Sequence, residues 1–259
     1  MYLFTSLIVL FGLGLLGFLW SRFRRPRARA VVFLLWSGLG LAVAYVFLPC
    51  FHLFGPSFCE GSSVERVIAL SFDDGPNEPY TSQILDVLKF YQVPATFFPL
   101  GKNIERSPGT IARILAEGHP IGNHTYDHHP LIFRSKAGIE EEVKKWEEVM
   151  RPFGPISPRL FRAPHGWKSP FLLSLLERNG YHLVGWTIGV WDSDRPGAEV
   201  LLGRLLRRVR NGAILLLHDG GGTTAGADRS QTVALLPKLI EECSRRGYRF
   251  VTVSQILKF

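Results

Sequence analysis

The chain has 259 residues, of which 46% are apolar and 20% are charged, and its formal net charge is +8. This length is sufficient for one sizeable domain and an additional segment. Five of the eight net positive charges come from arginines in the first 54 residues, which contain no Asp or Glu, so the remainder is nearly balanced and a nucleic-acid partner is not expected.

Two uncharged apolar stretches, 1–21 and 30–48, flank an arginine-rich segment at 22–29. The second stretch would form a helix of about 29 Å, close to the hydrocarbon thickness of a bilayer. Pro26 is expected to interrupt a continuous helix, and arginines clustered between two spans stay in the cytoplasm. The pattern predicts a transmembrane hairpin over 1–54, with the rest of the chain outside the cytoplasm, on the periplasmic or cell-wall side. A cleaved signal peptide, a single signal anchor and a buried apolar pair are the alternatives.

The three cysteines, Cys50, Cys59 and Cys243, include no CxxC pair, which excludes a zinc site built from such pairs. Cys50 and Cys59 are close enough in sequence to form a disulfide outside the cytoplasm, or all three are separate thiols. We expect 55–64 to be a linker and 65–259 to form the main domain.

Strand and helix patterns alternate through the main domain. Short apolar runs predict strands at 67–72, 95–101, 119–124, 158–164, 181–188, 212–219 and 249–253. Helical spacing between them predicts helices at 80–91, 108–117, 135–150, 170–178, 197–208 and 232–246. This alternation predicts an α/β fold with about seven mostly parallel strands and helices on the outside. The pattern alone does not separate a closed barrel from an open doubly wound sheet.

Polar side chains occur where these strands end, and the carboxyl ends of parallel strands are where α/β folds build their sites. The residues concerned are Asp73, Asp74, His124, Arg162, Asp192, His218 and Asp219. Taken singly, each has an ordinary explanation, such as an Asp-Gly-Pro turn, a buried histidine or a surface arginine. Taken together, they predict one crevice with hydrolytic chemistry.

His124 and His128 are four residues apart, so on a local helix they would share one face and bind one metal ion. A surface or core pair is the alternative. The chain has no GxSxG nucleophile motif and no HExxH zinc protease motif, so serine hydrolase and zincin chemistry are not expected.

The ordered motifs SFDDGP (71–76), HTYDH (124–128), RAPHG (162–166), Asp192 and LLLHD (215–219) resemble the polysaccharide deacetylase family, also called the NodB homology domain or carbohydrate esterase family 4. The resemblance covers about 64–259. It implies a distorted (β/α) barrel that hydrolyses N-acetyl groups of amino sugars.

The resemblance also implies a role for each matching residue. Asp74, His124 and His128 would bind a divalent metal ion, most often zinc, with cobalt, nickel or manganese as alternatives. The remaining matches would be Asp73 as general base, Arg162 as the residue that orients it, His218 as general acid, Asp192 as its hydrogen-bond partner, and His165 as a backbone donor to the oxyanion.

Two motifs depart from the family pattern. His165 stands where the family has an aromatic residue, and a backbone role survives that change. In the fourth motif, often Asp-x-x-Asp-Trp, Gly189 replaces the first Asp and Ser193 replaces the Trp. We therefore expect a differently shaped substrate pocket, to which Trp167, Trp186 and Trp191 add either sugar-stacking surface or core.

Three functions follow from these patterns. The first is a metal-dependent deacetylase of a cell-envelope or extracellular polysaccharide. The second is a deacetylase or deformylase of a lipid-linked sugar, because the hairpin would keep the site near the bilayer. The third is a catalytically silent, membrane-anchored glycan-binding protein. The expected partners are the glycan or lipid-linked sugar and the membrane, and no protein partner is predicted.

Overall fold

The computed structural model describes residues 26–51 and 55–259. The chain divides into two units, Met1–Phe47 and Leu48–Phe259. In the first unit, the described residues form helix α1 (Pro26–Phe47).

Helix α1 carries eighteen consecutive uncharged residues, Ala30–Phe47, and among the described residues it is the one helix long and apolar enough to cross a membrane. Most of its apolar side chains are exposed, as Leu35 is at 69%, so it does not resemble the core helix of a soluble protein. The described helix begins at Pro26, the position where a proline is tolerated in a helix, and the residues before it lie outside the described part of the chain. The predicted first span lies outside the described residues.

Strand β1 (Val67–Asp73) is fully buried at the centre of a five-stranded parallel sheet. Along one edge it pairs with β7 (Arg249–Val251) and then with β2 (Ala95–Phe98). Along the other edge it pairs with β6 (Ile214–His218), which pairs in turn with β5 (Ile188–Gly189). The predicted α/β fold with parallel strands is therefore confirmed.

A second parallel pair consists of β3 (Leu160–Phe161) and β4 (His182–Leu183). Isolated bridges link β2 to Ile121 and Asn123 to β3. On the far side, the segment that forms β4 runs on into β5, which belongs to the larger sheet. The pairings therefore run from β5 through β6, β1 and β2 to β3 and β4, as in a distorted barrel, and the chain between β4 and β5 connects the two ends of this order.

Two predicted strands differ from the structure. The stretch 119–124 forms two isolated bridges and no regular strand, since Pro120 has no N–H to donate to a ladder. The stretch 181–188 is interrupted between β4 and β5. Gly185 lies at this interruption, and a Cβ there would be 2.4 Å from the sulfur of Cys59. The first difference has a local cause in Pro120, whereas at Gly185 a tertiary contact overrides a pattern that is compatible with a strand.

The predicted helices are present as α2 (Tyr80–Tyr91), α4 (Pro108–Ala116), α5 (Lys136–Met150), α6 (Leu172–Arg178), α7 (Ala198–Leu206) and α8 (Ser230–Arg245). The sequence patterns missed two short helices, α3 (Gly101–Arg106) and α9 (Val253–Leu257), which are too short to show a helical period. The sheet and the helices share one apolar core that includes Phe72, Leu85, Phe97, Ile111, Leu201 and Leu236. This core holds the carboxyl ends of β1 and β6 in place.

The segment predicted as a linker, 55–64, is instead partly integrated into the second unit. Cys50 and Cys59 form a disulfide, which decides between the two alternatives for these residues. Isolated bridges join Phe58 to Val184 and Glu60 to the residue before β6. The domain therefore begins at Leu48, earlier than the composition indicates.

Candidate active site

Asp73 ends β1, and its carboxylate is held by the buried Arg162. Arg162 Nη1 donates to Asp73 Oδ1 at 2.7 Å and to Ser71 Oγ at 2.9 Å, while Nη2 donates to the carbonyl of Gly185 at 3.0 Å. The guanidinium also lies over the ring of Phe98, 4.0 Å from its centre. Burial lowers the pKa of Arg162, and the nearby carboxylate opposes this effect. These contacts fix the orientation of the Asp73 carboxylate.

Asp74, the next residue, faces two histidines. Its Oδ1 lies 3.4 Å from His124 Nε2 and 3.1 Å from His128 Nε2, and the three ligand atoms are all within 4.8 Å of one another. Asp74 has a left-handed backbone, with φ of 76°, at the point where β1 ends. The consecutive carboxylates of Asp73 and Asp74 consequently have different partners.

The protonation of these groups fits a cation site. His124 Nδ1 lies 2.8 Å from the Arg162 carbonyl, which only accepts, so Nδ1 carries the proton and Nε2 presents a lone pair. Asp74 Oδ1 is buried and has no hydrogen-bond partner among the described residues. Two acceptors this close repel each other unless a cation, either a proton or a metal ion, lies between them. Two imidazoles and one carboxylate are the ligands of an open catalytic zinc site.

The pKa values of Asp74, His124 and His128 are shifted in ways that bear on whether a proton or a metal ion lies between these side chains. Burial acts to raise the pKa of Asp74, but the neighbouring His124 and His128 lower it by a larger amount. The pKa of Asp74 therefore lies below its usual range. Burial lowers the pKa of His128 to about 3, which keeps this imidazole neutral and able to bind a metal. Burial also acts to lower the pKa of His124, but the two carboxylates outweigh it and raise the value. A metal ion would replace that proton.

The loop from His124 to His128 is not helical. Thr125 and His128 have positive φ values of 70° and 62°, and this irregular backbone brings the two imidazoles together. Glu142, buried in α5, accepts two consecutive backbone N–H groups inside the loop at 3.0 and 2.9 Å. The packing of α5 therefore helps to position the two candidate imidazole ligands.

A second group of potential ligands consists of Asp127, His129 and Glu142. It is less suited to a metal ion, because the side chains of Asp127 and His129 are 36% and 46% exposed. One oxygen of Glu142 is also already engaged by the loop backbone. We therefore regard the cluster of Asp74 and the two histidines as the candidate metal centre.

His218 ends β6 and is paired with Asp192, which lies on a one-turn helix, Asp192–Asp194. Asp192 Oδ1 lies 2.7 Å from His218 Nδ1, and Oδ2 accepts the backbone N–H of His218 at 2.7 Å. Thr232 Oγ1 donates to the same Oδ2 at 3.1 Å. Burial acts to lower the pKa of His218, but Asp192 outweighs it and raises the value to about 9. His218 is therefore a proton donor at neutral pH.

The structure brings together all the strand-end residues singled out in the sequence. Strands β1 and β6 pair in a register that places Asp73 directly opposite His218. His165 lies on a one-turn helix, Pro164–Gly166, with φ of 58°. Its ring centre is 4.6 Å from that of His128, so the third motif borders the metal centre. Burial and then His124 lower the pKa of His165.

Sequence reasoning missed the hydroxyls that support these groups, Ser71 and Thr232. The sequence could have indicated Ser71, because it is the one polar side chain within the apolar run 67–72. The role of Asp219 was also missed. Its carboxylate accepts the Gly75 N–H at 3.1 Å and the Thr81 hydroxyl at 2.8 Å, and burial raises its pKa to about 7. Asp219 thus supports the loop that follows Asp74.

Of the three tryptophans considered for sugar stacking, none is fully buried. Trp191 directly precedes Asp192 and is 36% exposed. Trp167 contacts the ring of His165 with 5.1 Å between ring centres, and Trp186 lies 5.9 Å from the Arg162 guanidinium. All three therefore border the site.

The resemblance drawn from the motifs is confirmed by comparison with known proteins. Residues 60–195 match the family model described as polysaccharide deacetylase. A peptidoglycan-N-acetylglucosamine deacetylase of Bacillus cereus is 38% identical over 200 residues, which cover 75% of this chain and 90% of that protein. A chitooligosaccharide deacetylase of Bradyrhizobium is 37% identical over 198 residues, which cover 74% of this chain and 90% of that protein.

Solved structures give the same assignment. The Bc1960 peptidoglycan N-acetylglucosamine deacetylase superimposes with a TM-score of 0.74 at 31% identity, covering 78% of this chain and 92% of that one. Bacillus subtilis PdaA, a family 4 carbohydrate esterase, superimposes with a TM-score of 0.68 at 28% identity, covering 85% and 88%. The chain therefore belongs to the polysaccharide deacetylase family, hydrolases of non-peptide carbon–nitrogen bonds in carbohydrates.

Proposed function

We propose that this protein is a metal-dependent deacetylase of N-acetylated amino sugars in a cell-envelope or extracellular polysaccharide. One observation carries the proposal: the buried oxygen of Asp74 without a hydrogen-bond partner, facing two imidazole nitrogens at 3.1 and 3.4 Å. The named relatives act on peptidoglycan N-acetylglucosamine and on chitooligosaccharides, so these glycans are the first substrates to test.

Asp74, His124 and His128 would hold the metal ion, most often zinc, with cobalt, nickel or manganese as alternatives. When bound, the cation would supply a Lewis acid that lowers the pKa of water and polarises the amide carbonyl. The donor set of two nitrogens and one oxygen leaves further positions free for water and substrate.

Asp73 would act as the general base. Arg162 donates to its Oδ1 and fixes the orientation of the carboxylate, while Oδ2 lies 3.8 Å from His124 Nε2, on the side of the proposed metal centre. In this position, Oδ2 would accept a proton from the attacking water as the new carbon–oxygen bond forms. The backbone N–H of His165 would donate to the oxyanion that develops on the amide oxygen.

His218 would act as the general acid. Because Asp192 engages its Nδ1, Nε2 is the nitrogen that can give a proton to the amine as the carbon–nitrogen bond breaks. The products are acetate and a free amino sugar. Protonation matters because an unprotonated amine is a poor leaving group.

The test is acetate release from a panel of peptidoglycan, chitooligosaccharides, other acetylated exopolysaccharides and lipid-linked sugars. We expect release that a chelator abolishes and that added zinc restores, and no release by Asp73→Asn or His124→Ala. Glycan binding without turnover at any tested metal would refute the enzyme and favour the silent glycan-binding alternative.

We also propose that the catalytic domain lies outside the cytoplasm behind a two-span membrane anchor. Helix α1 supports the anchor, and the Cys50–Cys59 disulfide supports an oxidising compartment. Protease added to intact cells or spheroplasts should cleave the domain and leave the arginine-rich segment at 22–29 protected. Protection of the domain would refute this topology.

A lipid-linked sugar is the second candidate substrate, because the proposed membrane anchor would keep the site near the bilayer. Equal activity on soluble oligomers and on lipid-linked sugars in the acetate assay would argue against this preference.

A further inference from the structure

The described residues 48–51 and 55–61, called here the juxtamembrane strap, pack against the loops that carry Arg162 and His165. The strap lies entirely in the second unit, and residues 52–54 between its two parts are outside the described part of the chain. The disulfide between Cys50 and Cys59 closes it, with their Cα atoms 5.8 Å apart. Nothing in the catalytic motifs predicts this packing.

The strap pairs with the segment between β4 and β5 in the manner of an added strand. Phe58 N–H donates to the Leu183 carbonyl at 2.8 Å, and Gly185 N–H donates to the Phe58 carbonyl at 2.9 Å. Thr187 Oγ1 donates to the Cys59 carbonyl at 2.6 Å. The carbonyl of Gly185 accepts a hydrogen bond from Arg162. Gly185 therefore connects the strap to the ion pair of Arg162 and Asp73.

Lys168 connects the strap to the third-motif loop. Its side chain is buried, and Nζ donates to the carbonyls of Pro49 at 3.2 Å and Phe51 at 2.8 Å. The Pro49 carbonyl also accepts the Ser57 hydroxyl at 2.5 Å. Lys168 therefore links two carbonyls of the strap to the loop that begins at Arg162.

The packing at this junction leaves no free space. A Cβ on Gly166 would lie 2.7 Å from the ring of Pro49 and 2.6 Å from that of Trp186, and Gly166 has φ of 72°. His165, the proposed oxyanion donor, is its immediate neighbour. A displacement of Pro49 would therefore move the backbone next to His165.

We propose that Lys168 and the Cys50–Cys59 disulfide are positioning residues for deacetylation, because they hold the juxtamembrane strap against Gly166 and Gly185. The inference rests on the proposed function. Through these two glycines the strap fixes the His165 N–H and the Arg162 guanidinium. The candidate metal ligands are carried by the end of β1 and the loop 124–128, so metal affinity reports separately on the integrity of the fold.

The first test uses the full chain in detergent micelles. Lys168→Met removes the donors and keeps the length, and we expect kcat for acetate release to fall about tenfold to hundredfold, as for small misplacements of reacting groups. KM and zinc affinity should stay within threefold. Lys168→Arg keeps a cationic donor and should recover part of the lost kcat, which a purely space-filling role would not produce.

The second test addresses the disulfide. The double variant Cys50→Ser, Cys59→Ser should lower kcat about tenfold with unchanged zinc affinity, whereas Cys243→Ala, which removes the buried free thiol, should match the wild type. The inference would be overturned if Lys168→Met and the double variant both kept a kcat within twofold of the wild-type value. It would also be overturned if kcat, zinc affinity and melting temperature all fell to the same extent. Absence of acetate release by the wild type would instead refute the proposed function.

Discussion

Two buried ion pairs meet at the end of the sheet, and in the proposed mechanism they serve opposite proton transfers. In the pair of Arg162 and Asp73 the supporting group is a permanent cation, which holds the carboxylate proposed as base. In the pair of Asp192 and His218 the supporting group is an anion, which raises the pKa of the imidazole proposed as acid. In both pairs the supporting side chain is fully buried, and its partner is 4% or 21% exposed. The two pairs thus differ in the sign of the charge on the more deeply buried side chain.

The strongest way to break this comparison is Asp73→Asn, which keeps the shape and removes the base. We expect kcat to fall about a thousandfold, the range that general base catalysis contributes. Zinc affinity measured by competition with a chelating dye should stay within threefold, because Asp73 is not one of the proposed ligands. Retention of more than a tenth of the wild-type kcat would contradict the assignment of Asp73 as base.

Removing the proposed general acid should lower kcat less than removing the proposed base, because water can slowly protonate the leaving amine. His218→Ala is expected to lower kcat about a hundredfold and to abolish the alkaline decline of the pH–rate profile. In the wild type this decline should begin as pH rises through about 9, where His218 loses its proton. A decline that persists unchanged in the variant would assign it to another group.

Asp192→Asn sharpens the comparison by removing the charge and keeping the hydrogen-bonding shape. Burial is then the main influence on His218, so its pKa should fall to about 6.5 or below. The protonated form is lost as pH rises through the pKa, so the alkaline decline should move down by about two pH units and kcat at pH 8 should fall at least tenfold. Recovery of activity near pH 6 would separate this effect from misfolding.

The smallest effects should come from the supporting hydroxyls. Ser71→Ala removes an acceptor of Arg162, and Thr232→Val removes a donor to Asp192. Each should cost about 1 kcal/mol of unfolding free energy and lower kcat a few-fold. Thr232→Val should also shift the alkaline limb slightly toward higher pH, since the Asp192 carboxylate loses a donor that disperses its charge and then holds the His218 proton more strongly, and Ser71→Ala should leave that limb unmoved. Chemical denaturation and pH–rate profiles measure both.

Local patterns predicted the parts of the molecule that local physics determines. The apolar run 67–72 ending in two aspartates gave strand β1 and the position of the site, and the alternation of strands and helices gave the parallel sheet. The spacing of His124 and His128 indicated that the two imidazoles could meet, but not the irregular loop that brings them together, because Glu142 in the following helix shapes that loop. The linker at 55–64 is wrong in part, because its residues pair with segments more than a hundred positions away. Such contacts leave no periodic trace in the sequence.

The register between β1 and β6 has a consequence for substrate choice. Asp73 and His218 are cross-strand neighbours, so the backbone positions of the proposed base and acid lie about one strand spacing, about 4.8 Å, apart. This backbone spacing is set by the ladder between the two strands and does not depend on the surrounding loops. In the proposed mechanism, changes near Trp191 and His165 would therefore alter which glycan is accepted, while the backbone that carries the base and the acid keeps its spacing.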